Sequence, residues 1–509
     1  MKQWMKRPTA LLLVLLLLLG MTACAAPRES VSTAPDETGA APEQTEAPEN
    51  ADTPETSEPV VTAPLDGVLA SAACPELPEP PDEAAFWEAV NALWSQEDLT
   101  DEERAEQDQA LWDDYSAKSD AYQEALKALR GEPVKNQAGF SAFTEKVAAQ
   151  LLTGTEKNCV LSPANLYLAL AMLAETAAGD TRSQLLSLLG ADDAEALRTL
   201  AGRVWENLYL NKENSKTLLA NSIWLNDGLS FHQGPLDILG ADYYASAYQV
   251  SMGTEAADKA LQDWLNENTG NLLEDSVQDV KTSPETILML ASTLYFKGAW
   301  RDEFQEAGTA PDEFTMADGT AVTTDFMHRT QEQSAAVCDG YAVAALPFAE
   351  QGSMVFVLPD EGVTLDEALA GGALEDALLL QDRNTTVYDV EWSVPKFDVS
   401  SALELMDALQ ALGVTDAFTP GLADFSPLIA DQERLLPYVS SVAHAARVLV
   451  DEEGCEAAAY TVIKEEAAAE IVPGELPVLE MNLNRPFLFM ITGLDGLPLF
   501  IGTVQTPAG

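Results

Sequence analysis

The sequence predicts a mixed α+β protein, and three observations carry the prediction. From residue 136 onward, runs of helical periodicity such as "LYLALAMLAETAAGD" alternate with strand-like apolar runs such as "SMVFVLP". Near the end of the chain, Asp495 and Gly496 stand between two apolar stretches, a pattern typical of a β-hairpin. The alternation contains no internal repeat. We therefore expect one mixed domain over residues 136–509.

The chain begins with a segment typical of secretory export. Basic residues precede an apolar run from Ala10 to Leu19, which is too short to span a bilayer as a helix. The following "MTAC" resembles a bacterial lipobox, in which a peptidase cuts before the cysteine and the sulfur carries the lipid. We therefore expect residues 1–23 to be a lipoprotein signal peptide and Cys24 to be the lipidation site. A plain secreted protein is the alternative.

Two further segments precede the mixed domain. Residues 24–64 are rich in Ala, Pro, Glu and Thr with almost nothing to bury, so they predict a disordered acidic tether. Within residues 65–135, Phe86, Val90 and Leu93 recur at helical spacing, and a second such set follows them. These helices need a surface to pack against. We expect a helical extension that packs on the domain after it.

The charge excludes one class of partner. The chain carries 83 acidic and 27 basic residues, which gives a formal net charge of −56. Binding to nucleic acid requires a basic surface that displaces counterions from the phosphates. The sequence therefore predicts no nucleic-acid partner, whereas basic partners are compatible with it.

Motifs of common catalytic and metal sites are missing from the sequence. There is no HExxH, GxSxG, Gly-rich phosphate loop or CxxC pair, and His232, His328 and His444 are far apart. The cysteines other than Cys24 lack metal or redox spacing, which leaves four thiols or one or two disulfide bridges. We expect a protein that is not an enzyme and binds no metal or cofactor. A catalytic triad assembled from distant residues is the alternative.

Six segments of the domain point to a known family by their content and order. They are "NCVLSPANLYLALAMLAETAAGDTRSQLLSLLG", "LLANSIWLN", "ASTLYFKGAWRDEF" with "DEFTMADGT" and "DFMHRT", "VPKFDVSSALELMDALQALGVTDAFTPGLADFSPL", "VAHAARVLVDEEGCEAAAYT" and "NRPFLFMITGLDGLPLFIG". In this order, over Phe140 to Pro507, they resemble the serpin family. The resemblance implies a large central, mostly antiparallel sheet, additional sheets, surrounding helices and an exposed reactive loop at about 452–476.

The resemblance also assigns residues to two regions of the central sheet. Trp300 and Glu452 fall at the breach, where the sheet opens. Asn165 stands where the family commonly has Ser, and Ser292 where it commonly has Asn, so we expect rearranged hydrogen bonds midway down the sheet. The residues of this second region, the shutter, are Ser162, Pro163, Asn165, Ser292 and His444.

The stretch "VDEEGCEAAAYTVIKEEAAAEIVPGEL" resembles the hinge and reactive loop of the family. In a strand, alternate residues face opposite sides. If the loop became a strand, the residues facing the core would be small or apolar throughout: Cys455, Ala457, Ala459, Thr461 and Ile463. The hinge residues are Glu452, Glu453, Gly454, Cys455, Glu456, Ala457, Ala458, Ala459, Tyr460 and Thr461.

The family's usual register places the reactive bond between Ala468 and Ala469. A small residue before the bond suits the shallow pocket of an elastase-like protease. Lys464 is a competing site for a trypsin-like protease, but a cut there leaves too short a strand to trap the enzyme. The resemblance thus implies a monomeric suicide inhibitor of elastase-like serine proteases.

These expectations place the protein outside the cytoplasm. We expect it to be held on the bacterial cell envelope by the lipid at Cys24, which is its sole predicted membrane contact. The alternative function is a non-inhibitory surface lipoprotein of the serpin fold with a binding or structural role.

Overall fold

The computed structural model describes residues 13–22, 68–75, 78–96, 99–131, 138–212, 215–269, 277–380, 385–454, 476–493 and 496–507. These residues form helices packed around two large sheets, so the predicted α+β class is confirmed. In chain order the helices are α1 (Glu83–Trp94), α2 (Asp101–Arg130), α3 (Ala138–Leu152), α4 (Pro163–Thr176), α5 (Gly179–Leu189), α6 (Ala194–Leu208), α7 (Gln233–Asp242), α8 (Glu255–Asn268), α9 (Leu365–Ala370), α10 (Ala373–Leu378), α11 (Met406–Ala411) and α12 (Gln432–Leu435).

The strands follow the alternation of apolar runs in the sequence. In chain order they are β1 (Leu13–Thr22), β2 (Val68–Ala70), β3 (Cys159–Leu161), β4 (Leu210–Asn211), β5 (Ser215–Asn226), β6 (Ala245–Val250), β7 (Thr286–Gly298), β8 (Ala310–Thr315), β9 (Ala321–Val337), β10 (Tyr341–Pro347), β11 (Ser353–Pro359), β12 (Thr386–Pro395), β13 (Phe397–Glu404), β14 (Tyr438–Val450), β15 (Val478–Asn482), β16 (Phe487–Thr492) and β17 (Pro498–Val504).

The first sheet, which we call the central sheet, has the strand order β13-β14-β1-β7-β5-β6-β2, and β4 pairs with β5 beside this order. β1 is antiparallel to both β14 and β7, so β14 and β7 point the same way. The β5–β6 pair is parallel, and the other neighbours in the order are antiparallel. The mostly antiparallel central sheet that the resemblance implies is therefore confirmed.

The second sheet has the order β15-β12-β9-β10-β11-β16-β17-β3, and β8 pairs with β9. β16 and β17 are antiparallel, with Phe487 opposite Val504, as the hairpin prediction requires. Asp495, one of the two predicted turn residues, lies outside the described part of the chain. Side chains of both sheets and of α4 belong to one buried apolar cluster, which is the core of the domain.

Helix α4 is buried along its whole length. A helix that is apolar all round is stable only inside a core, and the "LYLALAMLA" run has that composition. Ser162 caps its start by accepting a hydrogen bond of 3.2 Å from the backbone N–H of Asn165. Pro163 occupies the first helical position, where its missing N–H leaves no bond unmade. α4 contacts β1, β7 and β17, so it supports the middle of the central sheet.

The segment before the domain combines a strand with two helices. β2, which the sequence did not predict, extends the central sheet by pairing antiparallel with β6. The ring of Phe86 in α1 stacks on Tyr115 of α2, with centroids 4.4 Å apart. The end of α2 is joined to α6 by a hydrogen bond of 3.0 Å from Asn207 to the carbonyl oxygen of Arg130. Among the described helices, none has the length and apolarity to cross a membrane.

Candidate functional site

Trp300 holds the chain where β14 leaves the central sheet. Its indole N–H donates a hydrogen bond of 3.0 Å to the carbonyl oxygen of Asp451, and its backbone N–H donates one of 3.2 Å to that of Glu453. The ring is 2% exposed and stacks on Phe348, with centroids 4.9 Å apart and an angle of 8° between the planes. Because Trp300 stands two residues after the end of β7, these contacts join the end of β14 to the end of β7.

Glu452 is held by two side chains from other elements. Its carboxylate accepts hydrogen bonds of 2.6 Å from the ammonium of Lys396 and 2.8 Å from the hydroxyl of Thr309. Burial alone would raise the pKa of Glu452, but the hydrogen bonds and the charge of Lys396 outweigh burial and keep the pKa below its usual value. A charged, hydrogen-bonded carboxylate therefore anchors the turn after β14.

This turn, residues 451–454, is the hinge turn. Gly454 has a φ of 99°, a conformation that side chains rarely allow, and a Cβ there would lie 2.5 Å from the backbone nitrogen of Trp300. Gly454 also forms an antiparallel bridge with Ala299. Burial raises the pKa of Asp451 to about 6. The hinge turn is thus packed directly against the chain that follows β7.

The predicted shutter residues meet beneath the middle of the central sheet. The backbone N–H of Ser162 donates to Nε2 of His444 at 3.2 Å, and the side-chain amide of Asn165 donates to the carbonyl oxygen of Ser292 at 3.2 Å. The hydroxyl of Ser292 donates to Oδ1 of Asn221 at 2.7 Å. We call Ser162, Asn165, Asn221, Ser292 and His444 the shutter cluster. It links α4 to β14, β7 and β5 through buried hydrogen bonds.

Part of the shutter cluster is unsatisfied. Because Nε2 of His444 accepts a hydrogen bond, the neutral ring carries its proton on Nδ1. Nδ1 of His444 and Oδ1 of Asn165 are buried without a hydrogen-bond partner among the described residues. Burial lowers the pKa of His444 to about 3. The histidine is therefore neutral at physiological pH, in a cluster that leaves two buried polar atoms without hydrogen bonds within the described part of the chain.

Several partners of these residues were not predicted. Lys396 and Thr309 bind Glu452 from positions 56 and 143 residues away along the chain, and Asn221 binds Ser292 across 71 residues. Lys396 does stand inside the segment "VPKFDV", but nothing in that segment identifies its partner. A pattern within one segment cannot reveal such a contact, because sheet register creates it.

The described residues include only part of the predicted loop. Glu452, Glu453 and Gly454 of the hinge are placed as given above, whereas residues 455–461 of the hinge lie outside the described ranges. The same holds for the predicted reactive bond between Ala468 and Ala469, and for Cys24. Their assignments stay predictions.

Between β7 and β14 the central sheet has one strand position, which we call the slot. β1 fills it: Val14 lies opposite Tyr295 of β7 and Arg447 of β14, and Leu17 lies opposite Ser292 and His444. Two interstrand spacings, roughly 9.5 Å in all, therefore separate β7 from β14. The slot opens at one end beside the hinge turn and passes over the shutter cluster.

A large central sheet with a slot, and a chain anchored beside that slot by a buried turn, define the class of this protein. The family profile for "Serpin (serine protease inhibitor)" matches residues 137–507. The chain belongs to the serpin family. The description of the family as serine protease inhibitors is consistent with the expectation that the protein is not itself an enzyme.

Individual relatives agree with this assignment. Serpin-Z2B of Triticum aestivum is 32% identical over 74% of this chain and 96% of its own length. Serpin-ZX of Arabidopsis thaliana is 29% identical over 69% of this chain and 92% of its own. Among solved structures, the thermophilic serpin Tengpin in its native state is 28% identical, with a TM-score of 0.62 over 72% of this chain and 93% of its own. The serpin fold implied by the resemblance is confirmed.

Proposed function

We propose that the protein is a suicide inhibitor of serine proteases. The observation that carries the proposal is the position of the hinge turn: β14 ends at Val450 beside the slot, and the chain resumes in β15 at the edge of the second sheet. Residues 455–475 connect the two sheets. A connection of this kind can present a peptide bond to a protease. After the cut, the N-terminal part of the connection stays attached only to β14, which borders the slot.

The proposed mechanism converts a cleavage into a trap. The serine oxygen of the protease attacks the carbonyl carbon of Ala468, the bond to Ala469 breaks, and the new amine leaves with a proton from the protease histidine. Ala468 stays joined to the protease as an ester. The freed loop then adds to the central sheet as a strand between β7 and β14, and about fifteen inserted residues at roughly 3.3 Å each carry the protease on the order of 50 Å.

Insertion of the loop adds a strand to the central sheet, so the side chains that enter the core with it must be able to pack there. In the proposed inserted strand, Cys455, Ala457 and Ala459 face the core and are small. Inhibition is a race between insertion and hydrolysis of the ester. Small, uncharged inward residues favour insertion, because they enter the core without burying a charge.

We propose an elastase-like target. Ala468 before the bond fits a shallow specificity pocket, whereas a trypsin-type pocket would keep its buried Asp unpaired. Digestion by an elastase should release a fragment whose N-terminus is Ala469 or the residue on either side of it. A fragment that begins at Glu465 would instead identify Lys464 as the cleaved residue and overturn the elastase assignment.

Denaturing electrophoresis tests the proposed function. With an elastase, we expect a covalent complex that survives boiling in detergent, of the summed mass of protease and large fragment. Cleavage without such a complex, together with no rise in melting temperature after the cut, would favour the non-inhibitory binding or structural role instead.

We also propose a location and a state of assembly. The lipobox-like "MTAC" supports cleavage before Cys24 and lipidation of its sulfur, on the surface of a bacterial cell, with residues 24–64 as the spacer. The inhibitor acts as a monomer. Partitioning into a detergent phase that persists in a Cys24→Ala variant would contradict the anchor.

A further inference from the structure

The slot is occupied by the chain's own N-terminal apolar segment. β1 pairs with β7 from Leu13 opposite Phe296 to Thr22 opposite Thr286, and with β14 from Val14 to Thr22. The segment therefore bonds to both borders of the slot over nearly its whole length. Export signals and central strands share a short continuous apolar run, so the sequence "LVLLLLLGMT" fits either role.

The surroundings of the slot suit such a strand. Along β7, Leu288 and Leu290 belong to the main core cluster, whereas Met289 and Ala291 belong to the cluster formed with Trp264 of α8. The central sheet is therefore covered by apolar groups on both faces at this point. A strand buried on both faces requires a continuous apolar sequence rather than an alternating one.

The direction of β1 makes it a competitor of the reactive loop. A strand that returns from the hinge turn into the slot must run antiparallel to β14, and β1 is antiparallel to β14 and to β7. Two strands cannot use the same backbone donors and acceptors of β7 and β14. Because Leu17 already lies opposite His444 and Ser292, β1 blocks the path at the shutter cluster, midway along the slot.

We propose that Leu13–Thr22 is an internal occupant of the slot that keeps the unprocessed chain from inhibiting proteases. The inference rests on the proposed function for its inhibitory consequence, and on the strand pairing for the occupancy itself. Removal of residues 1–23 empties the slot. N-terminal processing is then the step that makes the inhibitor competent.

The occupancy is tested first by hydrogen exchange on the intact chain. Leu15 lies opposite Leu294 and Ala446, and Leu17 lies opposite Ser292 and His444, all of which are buried. Leu15→Asp together with Leu17→Asp places charges at these positions, so β1 should leave the slot. The matched control replaces the same two residues by Val. We expect exchange of the slot-bordering amides of β7 and β14 to accelerate at least tenfold in the Asp variant and to stay unchanged in the Val variant. Equal exchange in all three chains would overturn the inference.

The inhibitory consequence is tested on the same chains with an elastase. The unprocessed wild type and the Val variant should form little detergent-stable complex, and the Asp variant should form at least about tenfold more. If the Asp variant fails to fold, a chain that begins at Ala25 provides the same comparison. Faster exchange without complex formation would retain the slot occupancy and reject the inhibitor function. Full inhibition by the unprocessed wild type would reject the slot occupancy as a block.

Discussion

The indole nitrogen of Trp300 donates a hydrogen bond of 3.0 Å to the carbonyl oxygen of Asp451, at the point where β14 leaves the central sheet. The donor is buried, and the acceptor belongs to the turn that leads into the predicted reactive loop. The loop therefore starts from a fixed position beside the slot. Substitutions in this region should change the free energy of unfolding without touching the proposed reactive bond.

Gly454→Ala should destabilise the protein strongly. The new Cβ would lie 2.5 Å from the backbone nitrogen of Trp300, in addition to the strain of a φ of 99°. Gly413 has the same φ of 99° but open space around it, so Gly413→Ala measures the strain alone. Urea unfolding should show a loss of about 1 kcal/mol for Gly413→Ala and at least about 2 kcal/mol for Gly454→Ala. Equal losses would mean that the hinge turn is not packed against Trp300.

Lys396→Met should destabilise the hinge turn at neutral pH. Glu452 loses its charged partner while staying largely buried, and since Lys396 is partly exposed, the expected loss is about 1–2 kcal/mol. Interactions that depress a carboxyl pKa stabilise the fold above the unfolded pKa and vanish as pH falls through the folded pKa. The difference between variant and wild type should therefore shrink below about pH 4.5. Lys259→Met, which breaks an exposed pair with Asp263, is the control and should have little effect.

His444→Gln should flatten the acid side of the stability profile. Burial lowers the pKa of His444 in the folded chain to about 3, below the ordinary 6.5. Between these two pH values the unfolded chain therefore binds a proton that the folded chain does not bind. The stability contributed by the neutral His444 is complete above pH 6.5. It is lost as pH falls, at about 1.4 kcal/mol per pH unit. Chemical unfolding between pH 7 and pH 4 measures the slope. The exposed His328→Gln control should keep the wild-type slope, and a His444→Gln slope equal to it would contradict the buried neutral state.

Much of the fold follows from the sequence because its signals are local. The hairpin of β16 and β17 is marked by its turn, and α4 by a run that is apolar all round and starts with Ser162 and Pro163. The order of family-like segments supplies the rest of the topology. β2 was missed because its three residues are too few to show a period.

The site was less predictable, for physical reasons. The ion pair of Lys396 and Glu452 depends on sheet register, which a single segment does not encode. The segment that forms β1 was predicted as part of a signal peptide alone, since export signals and central strands share a short continuous apolar run. The sequence does not show that one strand position separates β7 from β14, so it could not place β1 between them.

The stoichiometry of inhibition of a matched pair of processed variants tests the central claim most directly. In the proposed inserted strand, residue 457 enters the core and residue 458 faces away, so Ala457→Arg buries an unpaired charge and Ala458→Arg does not. Neither change touches Ala468 or Ala469, so an elastase should cut both variants. We predict that Ala457→Arg is cleaved as a substrate with little covalent complex, whereas Ala458→Arg keeps most of its complex formation. Equal complex formation by the two variants would contradict insertion of the loop as a strand.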